Sequence, residues 1–306
     1  MDVQAVASQK IWNRAPHNAL TDLIRFRDRW FCAFREGQTH HSRDGSLRIL
    51  CSADGNEWRS TALISLSAAD LRDPKLTVTP DGRLMLLAGA AYHEQAPARY
   101  QSLVWFSADG ADWGEPLAVG EPNFWLWRVT WHKGQCYGVA YATDDSGLVR
   151  LYRSNDGARF ETLVAELYSQ GAPSETALVF LPDDTCYCLL RRDADSRTAQ
   201  LGTAQAPYTA WTWQDLGQHL GGPHLIRLPD GRLVAAGRLF DDRGRERTSL
   251  LWLDPARGTL TEFATFPSGG DSSYPGLAWH DGLLWVSYYS SHEGKTAVYL
   301  AKVALP

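Results

Sequence analysis

Three arginines occupy the same place in a repeated pattern. Arg35, Arg191 and Arg238 each follow by seven residues the centre of a short turn between two apolar segments. Nine residues before the same turn centres lie Asp73 and Glu175, and in the last repeat Tyr274 stands eight before. If the flanking segments are antiparallel strands, the start of one lies beside the end of the other, so all these residues share one rim. Three guanidinium groups around a rim repel one another and require an anionic partner. Their planar fork suits a carboxylate or phosphate. That partner is either a ligand, or Asp73 and Glu175 acting as a structural counter-charge. Arg72, beside Asp73, and Arg128 add further cations on the same set of strands.

The turns that set this ruler have central residues 28, 82, 134, 184, 231 and 282, at steps of 54, 52, 50, 47 and 51. Six units of about fifty residues, each with about four short strands, predict an all-β, six-bladed β-propeller. Long helical periodicity is absent, and Gly and Pro punctuate every unit. The last unit ends at Pro306 after three strands, so residues 1–14, with Val3–Trp12 as the strand, are expected to complete its blade and close the ring. The chain then reads as one domain over 1–306. A second motif, S-x-D-G-x-x-[WF], recurs at Ser52–Trp58, Ser107–Trp113 and Ser154–Phe160, with Asp-Gly where a tight turn needs it.

Composition narrows the partners. With 30 basic and 35 acidic side chains and no basic block, the chain lacks the Lys/Arg face that nucleic acid demands. The longest apolar run, Leu84 to Tyr92, is too short to span a bilayer as a helix. Five cysteines without a C-x-x-C pair read as reduced, buried thiols. No secretory pattern opens the sequence, which points to a cytoplasmic location. The histidines are scattered and the Asp-rich spots read as turns, so no metal site is legible, and no phosphate-cradling or dinucleotide glycine motif implies a cofactor.

The S-x-D-G-x-x-W segments resemble the Asp-box repeats of the sialidase (neuraminidase) superfamily, whose enzymes are six-bladed propellers. That resemblance implies structural roles for Asp54, Asp109 and Asp156 in outer turns. It further implies an arginine cluster for a substrate carboxylate, a Tyr nucleophile coupled to a Glu, and an Asp acid/base. Glu175, followed by Arg191, resembles the family's Glu and second arginine; Arg238 stands at the equivalent strand end one unit later. Tyr274 resembles the late catalytic Tyr. A phenol with an ordinary pKa of about 10 is a weak nucleophile, and a nearby carboxylate can take its proton. The family's opening Arg-Ile-Pro is replaced here by Asn18-Ala19-Leu20-Thr21, and Arg35 is the substitute the pattern offers. Asp44 and Asp73 are rival acid/base residues, although Asp44-Gly45 also reads as a hairpin turn. His40, His41 and His292 are further proton carriers. Trp125, Trp127, Tyr141, Tyr288 and Tyr289 offer faces for a sugar. Glu36, next to Arg35, is expected to alternate outward.

These residues imply a glycoside hydrolase acting on a terminal acidic sugar or glycoconjugate. A non-catalytic propeller that binds an acidic glycan or protein, and a uronate lyase on the same scaffold, remain open beside it.

Overall fold

The structure, a computed structural model, describes residues 3–94 and 98–305. Six antiparallel sheets form the blades of a propeller. Their innermost strands are His17–Phe26, Ala69–Val78, Phe124–His132, Pro173–Phe180, Gly221–Arg227 and Ser272–His280, for blades 1 to 6 in order. Each packs on the next, and Ser272–His280 returns to His17–Phe26, so the ring is closed. Among the described residues no helix is long and apolar enough to cross a membrane.

Between blades the strands are apolar on both faces because each sheet is sandwiched. Phe31, Leu47 and Ile49 of blade 1 form one cluster with Leu71, Leu86 and Leu103 of blade 2. Trp30 stacks on Trp285 across the seam of blades 1 and 6, ring centroids 4.1 Å apart. Each such side chain contributes about 1.5–3 kcal/mol on burial. Cys32, Cys51, Cys136, Cys186 and Cys188 are unpaired and buried among them.

The three S-x-D-G segments close the turns between the third and fourth strands of blades 1 to 3. In the first, Ser52 Oγ accepts from Gly55 N at 2.8 Å, while Asp54 Oδ1 accepts from Asn56 N and Glu57 N. The other two repeat this bonding through Asp109 and Asp156. These carboxylates are occupied with turn amides, far from the axis.

Ring closure is more elaborate than the sequence suggested. Gln9–Trp12 pairs antiparallel with Ala297–Val303 as the outer strand of blade 6. Gln4–Ala5, however, pairs parallel with Thr259–Thr265 and adds a fifth strand to blade 5. Glu36 does not reach solvent, because this terminal segment covers it: Trp12 Nε1 donates to Glu36 Oε1 at 2.5 Å, and Arg48 pairs with the other oxygen at 2.8 Å.

All six innermost strands carry a register break at the same level. The pairing skips between Ala19 and Asp22, Arg72 and Lys75, Leu126 and Arg128, Pro173 and Thr176, Gly221 and His224, and Ser273 and Gly276. A bulge leaves its residues unpaired and re-aims a side chain. Proline enforces it in blades 2, 5 and 6, where Pro74, Pro223 and Pro275 have no N–H for the ladder.

Candidate active site

The six bulges hold Leu20, Asp73, Trp127, Glu175, Gly222 and Tyr274 around the axis. Above them opens a pocket of about 720 Å³, whose lining includes Leu20, His40, His41, Asp70, Arg72, Asp73, Trp125, Tyr141, Glu175, Arg191 and Tyr274. Four bulge residues, Leu20, Asp73, Gly222 and Tyr274, have φ between 49° and 64°. Only the glycine adopts this region freely, so the other three store strain where the pocket needs their side chains.

Tyr274 and Glu175 meet on the pocket floor. Tyr274 Oη donates to Glu175 Oε1 at 2.6 Å. Arg191 Nη1 donates to Glu175 Oε2 at 2.5 Å and to Tyr274 Oη at 3.1 Å, so one guanidinium nitrogen touches both. Gly222 N donates to Glu175 Oε2 at 3.0 Å. A Cβ at Gly222 would lie 2.9 Å from the Tyr274 ring, so the absent side chain is what lets this ring lie against the blade 5 backbone. Trp127 meets the same ring edge-on at 5.5 Å.

The electrostatics give these two groups opposite tendencies. Burial alone would raise the Glu175 pKa, but the Arg191 charge and the bonds from Tyr274, Arg191 and Gly222 outweigh it and hold the carboxyl below its ordinary value. Burial and the Glu175 charge push the Tyr274 phenol well up, against Arg191 and Arg238. The resting pair is therefore carboxylate and neutral phenol. The arginines favour a phenolate, but desolvation and the adjacent carboxylate outweigh them.

Asp73 faces the same pocket without a hydrogen bond to its carboxyl among the described residues. Burial first, then the Glu175 charge, raises its pKa against Arg72 and Lys75. Lys75, unnoticed in the sequence, lies on the axis below, its ammonium 4.4 Å from the Trp127 ring centre. Burial and then Arg128 push its pKa down to about 8.

Arg72 keeps its place at the mouth. Its Nη1 donates to His40 O and His41 Nδ1, both at 2.8 Å, and to Asp70 Oδ2 at 3.3 Å, leaving Nε and Nη2 without protein acceptors among the described residues. The other predicted contacts lie elsewhere. Arg35 is fully buried and lines no part of the pocket; it donates to Asp70 Oδ1 at 2.8 Å and to Thr39 O and Ser42 O in its own loop. Arg128 points down the axis to Asp22, at 3.0 Å. Arg238 lies behind Tyr274, donating to Ser272 O and Tyr289 Oη and pairing with Glu246 at 3.2 Å. Tyr289 is fully buried, its hydroxyl on Asp271 Oδ1, and offers no face to a sugar. His292 packs on Tyr299 with Nδ1 at Ser290 Oγ, away from the pocket. Asp44 is exposed and accepts from Gln38 N, so its loop presents His40 and His41 to the pocket instead.

No family model matches the chain, and no curated protein matches it in sequence. Solved structures do. A Dyadobacter fermentans protein of unknown function superposes with a TM-score of 0.83 at 20% identity, covering 97% of this chain and 98% of that one. The Penicillium chrysogenum α-L-arabinanase complexed with arabinobiose gives 0.70 at 13% identity, over 96% and 97%. The Trypanosoma rangeli sialidase gives 0.76 at 13% identity, over 98% of this chain but 59% of the enzyme. At these identities the likeness establishes the six-bladed propeller fold of sialidase-like proteins.

Proposed function

We propose that the chain is a glycoside hydrolase that uses Tyr274 as nucleophile and acts on a terminal, carboxylate-bearing sugar. The observation that carries this reading is the Tyr274–Glu175–Arg191 cluster on the pocket floor. Propeller glycosidases among the structural neighbours, named for sialic acid and arabinan chemistry, support it as analogy.

The chemistry balances on the residues present. Tyr274 Oη attacks the anomeric carbon as its proton passes to Glu175 Oε1. The bond from that carbon to the leaving oxygen breaks, and Asp73, whose pKa burial raises, supplies the proton to that oxygen. Asp73, now a carboxylate, then takes a proton from water, whose oxygen attacks the anomeric carbon. The sugar leaves Tyr274, and Glu175 returns the proton to the phenol. Arg191 stabilises negative charge on the phenol oxygen throughout, being already aimed at it. Arg72 lines the pocket, and its two uncommitted nitrogens suit a carboxylate on the sugar.

A second reading has its own observation. Arg191 is already paired with Glu175 and Asp193, and Arg35 and Arg238 with Asp70 and Glu246. That internal neutralisation favours a neutral sugar processed by the same Tyr274 chemistry. A panel of fluorogenic sialosides, uronides and arabinofuranosides separates the two. Turnover of an acidic member that weakens in KM on Arg72→Ala supports the first, and turnover of arabinofuranosides alone supports the second. No turnover by the wild type, or undiminished turnover by Tyr274→Phe, overturns both.

A further inference from the structure

Beside the pocket, where the ring closes between blades 6 and 1, three segments distant in sequence deliver metal-ligand side chains to one point. His17 opens the innermost strand of blade 1, His40 sits in the loop after its second strand, and Asp271 immediately precedes the innermost strand of blade 6. His17 Nε2 lies 2.8 Å and His40 Nδ1 2.6 Å from the same oxygen, Asp271 Oδ2. All three atoms lie within 4.8 Å of one another.

We propose that His17, His40 and Asp271 form a binding site for a divalent transition-metal ion at the pocket wall. Donors around a tetrahedral zinc with bonds of about 2.0–2.1 Å stand roughly 3.3 Å apart, so small side-chain shifts from the observed spacing admit the ion. Two imidazoles and one carboxylate are a donor set that zinc, iron and nickel accept and that calcium or magnesium does not prefer. The carboxylate is preset for one-oxygen ligation, because Tyr289 Oη donates to Oδ1 at 2.8 Å and leaves Oδ2 to the histidines. Such outer bonds orient a metal ligand. His17 Nδ1, on the far side of the ring, is buried without a partner, so Nε2 is the ring nitrogen that the fold turns to the site. The nearest cation, Arg238, lies 3.9 Å from Asp271 Oδ1 and is itself paired with Glu246, which lessens its repulsion of an ion. Three protein ligands leave a coordination position free, and one of them, His40, lines the pocket.

The test is independent of the proposed hydrolysis. The full chain, stripped with a chelator and dialysed, is titrated with zinc chloride by calorimetry and with cobalt chloride by visible absorption. One saturable equivalent with micromolar or tighter affinity is expected, together with cobalt bands of low-symmetry, nitrogen-containing coordination. His17→Gln and His40→Gln, checked for folding by circular dichroism and thermal melting, should weaken binding at least 100-fold. Tyr289→Phe should weaken it about 10–100-fold by freeing the carboxylate. Tyr274→Phe should bind zinc as the wild type does, which separates this site from the nucleophile. Absence of saturable binding by the folded wild type overturns the proposal, as does wild-type affinity in both folded histidine variants.

Discussion

Arg35 and Arg191 stand at the same count from the turns of blades 1 and 4, yet the pairing sets them one residue apart: Arg35 lies opposite Ala19 beside the break, whereas Arg191 faces the break and Arg192 is the partner of Pro173. Arg35 is fully buried, and its donors end on Asp70 and on carbonyls of its own loop. Arg191 touches Tyr274 and Glu175 at the pocket floor. The outcome is set by that one-residue offset together with the residue at the neighbouring bulge. In blade 1 it is Leu20, which packs with Ala19 and Tyr289 and gives an arginine nothing to bind. In blade 4 it is Glu175, which draws the guanidinium to the axis. The propeller repeats the backbone device six times, and only the side chain at the bulge makes a given blade chemical.

The comparison breaks first at the bulge itself. Glu175→Gln should lower kcat by roughly 10²–10⁴-fold with the fold intact, since the phenol proton then has no base. Steady-state rates and a circular dichroism spectrum check it; unchanged kcat would mean that blade 4 is as structural as blade 1. The matching change in blade 1, Arg35→Ala, should act on stability, by about 3–5 kcal/mol in a denaturant titration, because it leaves buried acceptors and Asp70 poorly paired. Equal stability with lost activity would move Arg35 into the site.

Gly222→Ala tests how far the floor depends on one missing methyl group. The left-handed backbone and the clash with the Tyr274 ring together should cost about 1–3 kcal/mol, seen as lower thermal stability and a reduced kcat. Asp73→Asn should abolish activity yet stabilise the protein near neutral pH. The folded carboxyl has a raised pKa, so the native state holds its proton more tightly than the unfolded chain. Wild-type stability therefore falls as pH rises from the ordinary Asp value, about 4, through the raised folded one, and the asparagine variant escapes that fall. Melting curves near neutral pH and below about pH 4 should diverge in the first condition and converge in the second. The smallest effect belongs to Asp44→Asn, an exposed turn carboxylate, for which kcat should stay within about twofold of the wild type.

Much of the fold could be read from the chain because the inner hairpin turns are evenly spaced and chemically marked. The ruler then found Asp73 and Glu175 directly and Tyr274 within one residue. Its errors are those of a ruler laid along an irregular strand. The bulges shift the axis-facing residue from Ala19 to Leu20 and from Trp125 to Trp127, and the prolines at 74, 223 and 275 were the overlooked sign of them. Arg35 was misassigned because its partner, Asp70, comes from the next blade, and pairing between blades leaves no periodic trace. His17, His40 and Asp271 were scattered letters for the same reason: ring closure, which unites them, is a property of the whole chain.

The proposed mechanism bonds Tyr274 covalently to the substrate. The direct test uses a slow, 2- or 3-fluorinated glycosyl fluoride of whichever sugar the panel shows to be turned over, followed by intact-mass and peptide-mass measurement. A stoichiometric glycosyl adduct on the peptide carrying Tyr274, absent from Tyr274→Phe, is the predicted result. An adduct on another residue, or turnover that Tyr274→Phe sustains at the wild-type rate, would contradict the account.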